Sequence, residues 1–156
     1  MDIVIQRVKE ARVKVHNETV GEINEGFLLL IGFSNDDELD LSTEDMEKIS
    51  HKLLKLRCFS DSEGKMNHCL SQINGQILAV SQFTLLGNLK KGNRPSFMRA
   101  LRPELARDYF DRFCDILGKN TKVEKGSFGK DMQVELVNDG PVTFMMNSKE
   151  ILGPRK

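Results

Sequence analysis

The side chains best suited to chemistry stand at the end of one apolar run. Residues 77–80 are apolar, and Ser81, Gln82 and Thr84 then supply a hydroxyl, an amide and a second hydroxyl around Phe83. The Gln82 NH2 group can donate to an oxyanion, and the Thr84 hydroxyl can act as a nucleophile or orient a substrate. No base is evident beside Thr84, which makes it a weak nucleophile. This segment predicts an oxyanion-binding site, with a hydrogen-bonded polar strand end as the alternative.

A second candidate segment, Asn138-Asp139-Gly140-Pro141, combines turn-forming residues with a proline that has no N–H group. We expect it to interrupt the strands around it. A Gly-Pro bond is also one at which a cis peptide is accessible, and a cis bond would point successive carbonyl oxygens in one direction. Such oxygens could bind an α-ammonium group while the rigid main chain excludes the side chain of one enantiomer. An ordinary turn between strands is the alternative.

Conventional catalytic machinery is absent from the sequence. The three histidines, His16, His51 and His68, have no evident Ser or Cys partner, so we expect them to be structural or exposed. No zinc-protease motif, phosphate-binding loop or dinucleotide fingerprint is present. The three cysteines form no CxxC pair, which favours reduced, structural thiols over disulfides or zinc. We therefore expect neither a metal nor a cofactor.

Charge is balanced overall but segregated along the chain. Lys and Arg total 23, as do Asp and Glu, so the protein lacks the general positive field of non-specific nucleic-acid binders. Residues 35–47 carry acids and no base. Residues 86–102 carry no acid, and their bases are Lys90, Lys91, Arg94, Arg99 and Arg102. This basic segment is the candidate for phosphate contact, and a solvated surface is the alternative.

The chain length fits one domain. A chain of 156 residues buries roughly two-thirds of its unfolded surface, which is enough for a core without metals or disulfides. We expect a single domain over residues 1–156, with 153–156 as a loose tail. The longest apolar stretch, residues 27–31, is too short to cross a bilayer, and the first residues lack a signal-peptide layout. The expected location is the cytoplasm.

Local patterns place the candidate residues on strands. Partly alternating apolar residues predict strands over 3–8, 11–15 and 19–23, with a turn at His16-Asn17. Apolar runs predict a buried central strand over 27–33 and another strand over 76–83. In the strand that ends at residue 83, Ser81 and Phe83 would face one side, and Gln82 and Thr84 the other. Residues 122–128 and 132–137 are expected to form a β pair around a turn at 129–131, and residues 142–146 a last strand.

Two amphipathic helices are predicted to pack on the resulting sheet. The first starts at Ser42-Thr43, with acids in its first turn, and the second starts near Pro103 and closes near Gly118. Their apolar stripes are Met46, Ile49, Leu53 and Leu56 in the first helix, and Leu105, Tyr109, Phe113 and Ile116 or Leu117 in the second. The order of elements indicates an α+β domain rather than regular βαβ repetition.

Six segments resemble, in the same order, the sequences of D-aminoacyl-tRNA deacylases. They are residues 5–8, 64–67, 81–85, 91–97, 132–134 and 138–143. Six ordered matches are very improbable by chance. The resemblance implies a mostly antiparallel, barrel-like β-sheet with two amphipathic helices. It also implies an enzyme that hydrolyses the ester bond of D-aminoacyl-tRNA, and of glycyl-tRNA(Ala), with no cofactor or metal.

The same resemblance implies roles for the candidate residues. The enzyme would be a homodimer with active sites at the subunit interface, where Gly140-Pro141 of one chain enters the pocket of the other as a Gly-cis-Pro element and rejects L-aminoacyl groups. Gln82 and Thr84 would bind the oxyanion or orient the ester, while the 2′-hydroxyl of the terminal adenosine assists hydrolysis. The other implied contacts are Ser81, Phe83 and Asn138 with the substrate, and Lys90, Lys91 and Arg94 with the tRNA.

Small departures from the family pattern affect local contacts. Leu89 stands where a small or polar residue is frequent, and Lys130 where alanine is common. Two alternatives stay open from the sequence. A related subclass with a trans Gly-Pro bond acts on L-alanyl-tRNA, although residues 138–143 match the cis pattern better. A non-catalytic RNA-binding module would use the basic segment, but it normally adds aromatic stacking platforms and a net positive charge.

Overall fold

The computed structural model describes residues 1–154. Its strands are β1 (Asp2–Val15), β2 (Glu18–Ile23), β3 (Gly26–Gly32), β4 (Phe59–Ser60), β5 (Met66–His68), β6 (Gln76–Ser81), β7 (Val123–Lys125) and β8 (Gln133–Asn147). Its α-helices are α1 (Asp37–Asp40), α2 (Thr43–Leu54), α3 (Pro103–Gly118) and α4 (Ser148–Leu152). Two 3-10 helices span Leu70–Ile73 and Phe83–Leu86. This arrangement confirms the predicted α+β class.

Strand β1 organises one mixed sheet. It pairs antiparallel with β3 through its first half, with β2 through its second half, and with β8 along its other edge. Parallel pairs then extend the sheet from β3 to β6 and β7. The strands predicted at residues 3–8 and 11–15 are therefore one strand of 14 residues. The predicted turn at His16-Asn17 is confirmed, and both residues have positive φ angles.

The sheet curves into a nearly closed barrel with a core on each face. Its edges meet where Gly21 of β2 lies against β7, since a Cβ atom on Gly21 would stand 2.6 Å from the Lys125 carbonyl oxygen. Side chains alternate across the strands, so one sheet serves both cores. The barrel interior holds Val8, Val13, Ile23, Leu28, Leu78 and Val80. The outer face packs against α2 and α3 and contributes Ile5, Phe27, Leu29, Ile31, Ile77 and Ala79.

Both predicted amphipathic helices are confirmed, except that α2 ends at Leu54, before Leu56 of its predicted stripe. Helix α2 starts with a capping box, in which the Asp45 N–H donates to the Ser42 hydroxyl at 3.1 Å and the Asp45 carboxylate accepts from the Ser42 N–H at 3.0 Å. Helix α3 has Pro103 in its first turn and ends at Gly118. The short helices α1 and α4 carry too few residues to show an apolar stripe, so no prediction covered them.

The predicted β pair between residues 122–128 and 132–137 is wrong. Strand β7 runs parallel to β6, whereas β8 runs antiparallel to β1. The intervening turn does exist, because the Lys130 N–H donates to the Ser127 carbonyl at 3.2 Å and Gly129 has a φ of 74°. A turn fixes only the local change of direction. The strands that pair with β7 and β8 are determined by how their side chains pack in the barrel. This packing cannot be inferred from local sequence.

The three cysteines are buried and unpaired in the described chain. Burial raises the pKa of Cys114 to about 12 and also raises the pKa of Cys58. No helix within residues 1–154 is long and apolar enough to span a membrane. Gly153 and Pro154 follow α4 without regular secondary structure. The rest of the predicted loose tail, Arg155 and Lys156, lies outside the described residues.

Candidate active site

Strand β6 ends at Ser81, and the chain then turns out of the sheet. The Gln82 N–H still donates to the Ile31 carbonyl of β3 at 2.8 Å, but a 3-10 helix follows at once over Phe83–Leu86. The prediction of a strand through residue 83, with Gln82 and Thr84 on one face and Ser81 and Phe83 on the other, is therefore wrong at its end. Ser81 and Gln82, which a continuing strand would place on opposite faces, therefore lie side by side on one surface.

A glycine at the end of β3 makes this turn possible. A Cβ atom on Gly32 would stand 2.8 Å from the Gln82 carbonyl oxygen and 2.6 Å from a methyl group of Leu86. Any larger residue would push the 3-10 helix away from β3 and displace Gln82. Sequence reasoning misses Gly32, whose only signal is its position at the end of an apolar strand.

A cavity of about 560 Å³ opens beside the turn. The ends of β3 and β6 form its floor, the start of α3 forms one wall, and residues 128–134 form another. Ser81, Gln82 and Phe83 line it, whereas Thr84 does not. Most of the remaining lining is apolar, including Ile31, Phe128 and Met132. Few polar groups in an apolar cavity are typical of a small-molecule or nucleoside site.

The polar floor of this cavity contains an amide held by a hydroxyl. The Gln82 Nε2 atom donates to the Thr84 hydroxyl at 2.5 Å. An amide nitrogen carries two N–H bonds, so this contact orients Gln82 and leaves a second donor for a ligand. No histidine or carboxylate forms a hydrogen bond with Thr84 in the described part of the chain. The pair can therefore bind an oxyanion, but it lacks an activated nucleophile.

Two aromatic rings stand at the mouth of the cavity. Phe83 is 54% exposed and Phe97 is 39% exposed, and their rings meet edge to face with centroids 5.1 Å apart. Exposed rings beside basic residues are a stacking surface for nucleobases. The sequence-based expectation that the chain lacks such a platform is therefore wrong, because the two rings meet only in the folded chain. The position of Phe97 within the basic segment was the available signal.

Residues 139–142 form a loop within β8, here called the Gly-Pro loop. Gln6 pairs with Thr143 and Val8 pairs with Asn138, so the four loop residues stand opposite Arg7 alone. The Asn138 amide closes the base of the loop by donating to the Arg7 and Val142 carbonyls at 3.1 and 3.0 Å. The predicted interruption is thus a register break within one strand rather than a turn between two.

The tip of the Gly-Pro loop presents main chain to solvent. Gly140 and Pro141 are both exposed, and a cis peptide bond joins them. Gly140 has a φ of 140°, a conformation that residues with a side chain rarely adopt. A Cβ atom at this position would also stand 2.6 Å from a Val142 methyl group and 2.8 Å from the Val142 nitrogen. Both observations require glycine here.

A buried arginine anchors the Gly-Pro loop. The Arg7 Nε atom donates to the Asp139 carbonyl at 2.9 Å, and Nη1 donates to the Cys58 carbonyl at 2.7 Å. The Asp139 carboxylate lies 3.5 Å from both the Arg7 Nε and the Lys9 Nζ atoms. Arg7 is only 8% exposed. Sequence reasoning assigned no role to Arg7, and an arginine inside an otherwise apolar strand was its signal.

The structure brings together some of the predicted site residues and leaves others apart. Ser81, Gln82 and Phe83 share the cavity. Asn138, Gly140 and Pro141 do not line the cavity of the same chain. Lys90, Lys91 and Arg94 lie on an exposed hairpin closed by a bridge between Asn88 and Ser96, and they too lie outside the cavity lining. Among residues 1–154, no cluster of three His, Cys, Asp or Glu side chains could hold a metal.

Comparisons with known proteins agree with this geometry. The family model for D-Tyr-tRNA(Tyr) deacylase matches residues 4–147. A solved structure titled c-Myc DNA Unwinding Element Binding Protein is 36% identical, with a TM-score of 0.85 over 94% of this chain and 98% of that chain. A probable eukaryotic D-amino acid tRNA deacylase has the same fold at 21% identity, with a TM-score of 0.80 over 93% of this chain and 97% of that chain. The chain therefore belongs to the D-Tyr-tRNA(Tyr) deacylase family and is a D-aminoacyl-tRNA deacylase, a hydrolase.

Proposed function

We propose that the protein is a cytoplasmic homodimer that hydrolyses the ester bond of D-aminoacyl-tRNA, and of glycyl-tRNA(Ala), and rejects L-aminoacyl groups. The observation that carries this proposal is the cavity at the end of β6, where the Gln82 amide is held by the Thr84 hydroxyl. In this cavity the terminal adenosine would stack on the aromatic mouth, and the ester carbonyl would lie against Ser81 and Gln82.

In the proposed reaction the protein supplies neither a nucleophile nor a general base. Water adds to the ester carbonyl carbon, and the second Gln82 N–H donates to the resulting oxyanion. The bond between that carbon and the ribose 3′-oxygen then breaks, and a proton from the attacking water passes to the leaving oxygen. The neighbouring 2′-hydroxyl of the adenosine relays this proton. The lack of a base near Thr84 in the described residues supports a reaction assisted by the substrate.

We assign chiral selection to the Gly-Pro loop. Its exposed tip offers carbonyl oxygens that can accept hydrogen bonds from the α-ammonium group of the substrate. Gly140 has no side chain, so main-chain atoms alone would border the substituents of the α-carbon. Selection by main chain discriminates handedness while tolerating different side chains. The hydrogen bonds from Arg7 support this role, because a loop that selects by steric exclusion must keep a fixed position.

The position of this loop supports the proposed homodimer. Strand β8 pairs only with β1 among the described strands, so its other edge is unpaired along residues 133–147. Val137, Phe144 and Met145 on this strand are 49%, 39% and 83% exposed. A long apolar edge strand is usually covered by another chain. An interface along β8 would carry the Gly-Pro loop of one subunit toward the cavity of its partner.

The basic hairpin is the proposed contact with the body of the tRNA. Lys90, Lys91 and Arg94 are exposed, and the hairpin connects directly to Phe97 at the cavity mouth. Cations beside a stacking surface suit the sugar-phosphate backbone of a single-stranded end. Because the chain has no net charge, this local patch would supply the attraction that the whole molecule lacks.

Matched aminoacyl-tRNA substrates test the proposed function. We expect D-tyrosyl-tRNA to be hydrolysed on the order of 100-fold or more faster than L-tyrosyl-tRNA, since a steric block acts directly at the reacting centre. Glycyl-tRNA(Ala) should also be hydrolysed, because glycine has no side chain to reject. The measurement is release of labelled amino acid under single-turnover conditions, with L-alanyl-tRNA as a further substrate. Equal rates for the two tyrosyl enantiomers would contradict chiral selection, and a preference for L-alanyl-tRNA would favour the related subclass.

A second prediction separates binding from nucleophilic attack. Thr84→Ala should lower kcat by only about fivefold, which is the cost of about one hydrogen bond that positions Gln82. Gln82→Met should lower kcat by about 100-fold, because it removes the oxyanion donor while keeping a side chain of similar size. Single-turnover deacylation of D-tyrosyl-tRNA measures both. Complete loss of activity in Thr84→Ala would restore the nucleophile model.

A further inference from the structure

The wall of the cavity that contains Phe128 carries one cation and has a second cation beside it. Lys130 lines the cavity in the turn that follows Phe128. The guanidinium carbon of Arg107 on α3 stands 5.1 Å from the centre of the Phe128 ring. A guanidinium nitrogen of the same residue would lie 3.9 Å from a Cβ atom on Gly129. Arg107 and Lys130 therefore flank the same turn, and we call them the cationic rim.

The acids near the cationic rim are engaged elsewhere or form no ion pair with it. On α3, the Asp108 carboxylate pairs with Arg112 at 2.6 Å, and the Asp111 carboxylate pairs with Lys125 at 3.3 Å. Asp131 is adjacent to Lys130 in sequence but makes no ion pair with it. Within residues 1–154, no carboxylate lies within 4.0 Å of a charged nitrogen of Arg107 or Lys130. The rim thus presents net positive charge at the cavity mouth.

The other cations near the cavity are less well placed for an anion. Arg102 lines the cavity, but its guanidinium pairs with the Glu38 carboxylate at 3.1 Å. Lys90, Lys91 and Arg94 belong to the hairpin outside the lining. Of the two cations that line the cavity within residues 1–154, Arg102 and Lys130, only Lys130 forms no ion pair with a carboxylate, and Arg107 lies outside the lining but stacks on the lining residue Phe128. Arg107 is also held in place by its stacking on Phe128, which reduces the entropy lost when it binds a ligand.

We propose that Arg107 and Lys130 bind the phosphodiester that links the terminal adenosine of the tRNA to the nucleotide before it. This inference rests on the proposed function. The apolar cavity suits the nucleoside and the ester, whereas a phosphodiester is charged and stays at the solvated rim. Two adjacent cations there fix the distance between the phosphate and Gln82. The cationic rim is thus a positioning element that sets how deep the aminoacyl ester enters the cavity.

The charge of Lys130 gives the proposed phosphate contact a measurable signature. Adding one cation to a phosphate site strengthens binding in a salt-dependent way, because binding releases the counterion of the phosphate. The inference therefore predicts a specific change in the salt dependence of binding, which a merely structural role for Lys130 would not produce.

The test measures binding of a non-hydrolysable D-tyrosyl-tRNA, in which an amide replaces the ester, across a KCl series. We expect Lys130→Met to lower the slope of log Kd against log salt by about 0.7, the value for one single-strand phosphate contact, and Lys130→Arg to keep the wild-type slope. Arg107→Met should act in the same direction. Lys119→Met is the matched control, because Lys119 is an exposed lysine just beyond the opposite end of α3. Thermal unfolding verifies that each variant is folded.

A second substrate separates this inference from the proposed function. D-tyrosyl-adenosine carries the ester but no phosphate, so Lys130→Met should lower kcat/KM for D-tyrosyl-tRNA at least about fivefold more than kcat/KM for D-tyrosyl-adenosine. Equal effects on the two substrates, or an unchanged salt slope in an active enzyme, would overturn the phosphate contact alone. If the wild-type protein hydrolysed neither substrate, the proposed function itself would fail.

Discussion

Gly140→Ala is expected to lower kcat/KM for D-tyrosyl-tRNA by about 100-fold, because a displacement of about 1 Å at a reacting centre costs that much. The new Cβ atom would stand 2.6 Å from a Val142 methyl group and 2.8 Å from the Val142 nitrogen. The φ of 140° at this residue adds backbone strain for any residue with a side chain. The tip of the Gly-Pro loop must therefore shift. Single-turnover deacylation of D-tyrosyl-tRNA measures the effect.

Gly64→Ala provides the control for this substitution. Gly64 also has a positive φ, of 77°, but a Cβ atom there would meet no atom within 4 Å. It lies in the turn between β4 and β5, away from the cavity. The control should lose a small amount of stability through backbone strain and keep its activity. If Gly140→Ala hydrolysed D-tyrosyl-tRNA at the same rate as Gly64→Ala, the Gly-Pro loop would have no part in the reaction.

Arg7→Met is expected to destabilise the protein by about 3 kcal/mol, because two carbonyl groups lose their hydrogen-bond donor at a buried site. These are the carbonyls of Asp139 and Cys58, which accept from Arg7 at 2.9 and 2.7 Å. Loss of the first bond also frees the Gly-Pro loop, so deacylation should fall by about 100-fold at a temperature where the variant is folded. Urea unfolding and single-turnover kinetics measure the two effects.

Two further variants separate the roles of charge and geometry at this position. Arg7→Lys keeps the positive charge but cannot donate in two directions from a planar group, so we expect it to recover little activity. Arg12→Met is the control on the same strand. Arg12 is partly exposed and pairs with Glu135 at 2.9 Å, which predicts a change in stability below about 1 kcal/mol. Full activity in a folded Arg7→Met protein would show that the loop needs no anchor.

The parts of the fold predicted correctly are those that local chemistry determines. Helix α2 was identified from Ser42 and the acids of its first turn, and helix α3 from Pro103 and its apolar stripe. Both signals act within a few residues. The end of β6 was predicted wrongly, because the 3-10 turn depends on Gly32, which is far away in sequence. The pairing of β7 was missed for the same reason, since a turn does not specify the partner of the strand that enters it.

In the candidate site too, features that depend on local sequence were predicted and features that depend on distant contacts were missed. Ser81, Gln82 and Phe83 were identified because polar groups at the end of an apolar run are conspicuous in sequence. Arg7 was missed because its function depends on carbonyl groups from two distant segments, at Cys58 and Asp139. The aromatic mouth was missed because Phe83 and Phe97 come together only after the chain has turned out of the sheet. A contact between two segments that are distant in sequence cannot be inferred from the composition of either segment alone.

The anchoring of the Gly-Pro loop to β1 determines how the proposed selection would behave. Strand β1 is the common partner of β2, β3 and β8, so Arg7 attaches the loop to the strand that has the most partners in the sheet. The loop cannot yield to a larger substrate without bending a strand that three others share. Selection of the substrate enantiomer would thus depend on a rigid steric constraint rather than on induced fit. A rigid steric constraint of this kind would discriminate between the two configurations of the α-carbon. It would not discriminate between side chains of different length, because the accepted side chain points away from the loop.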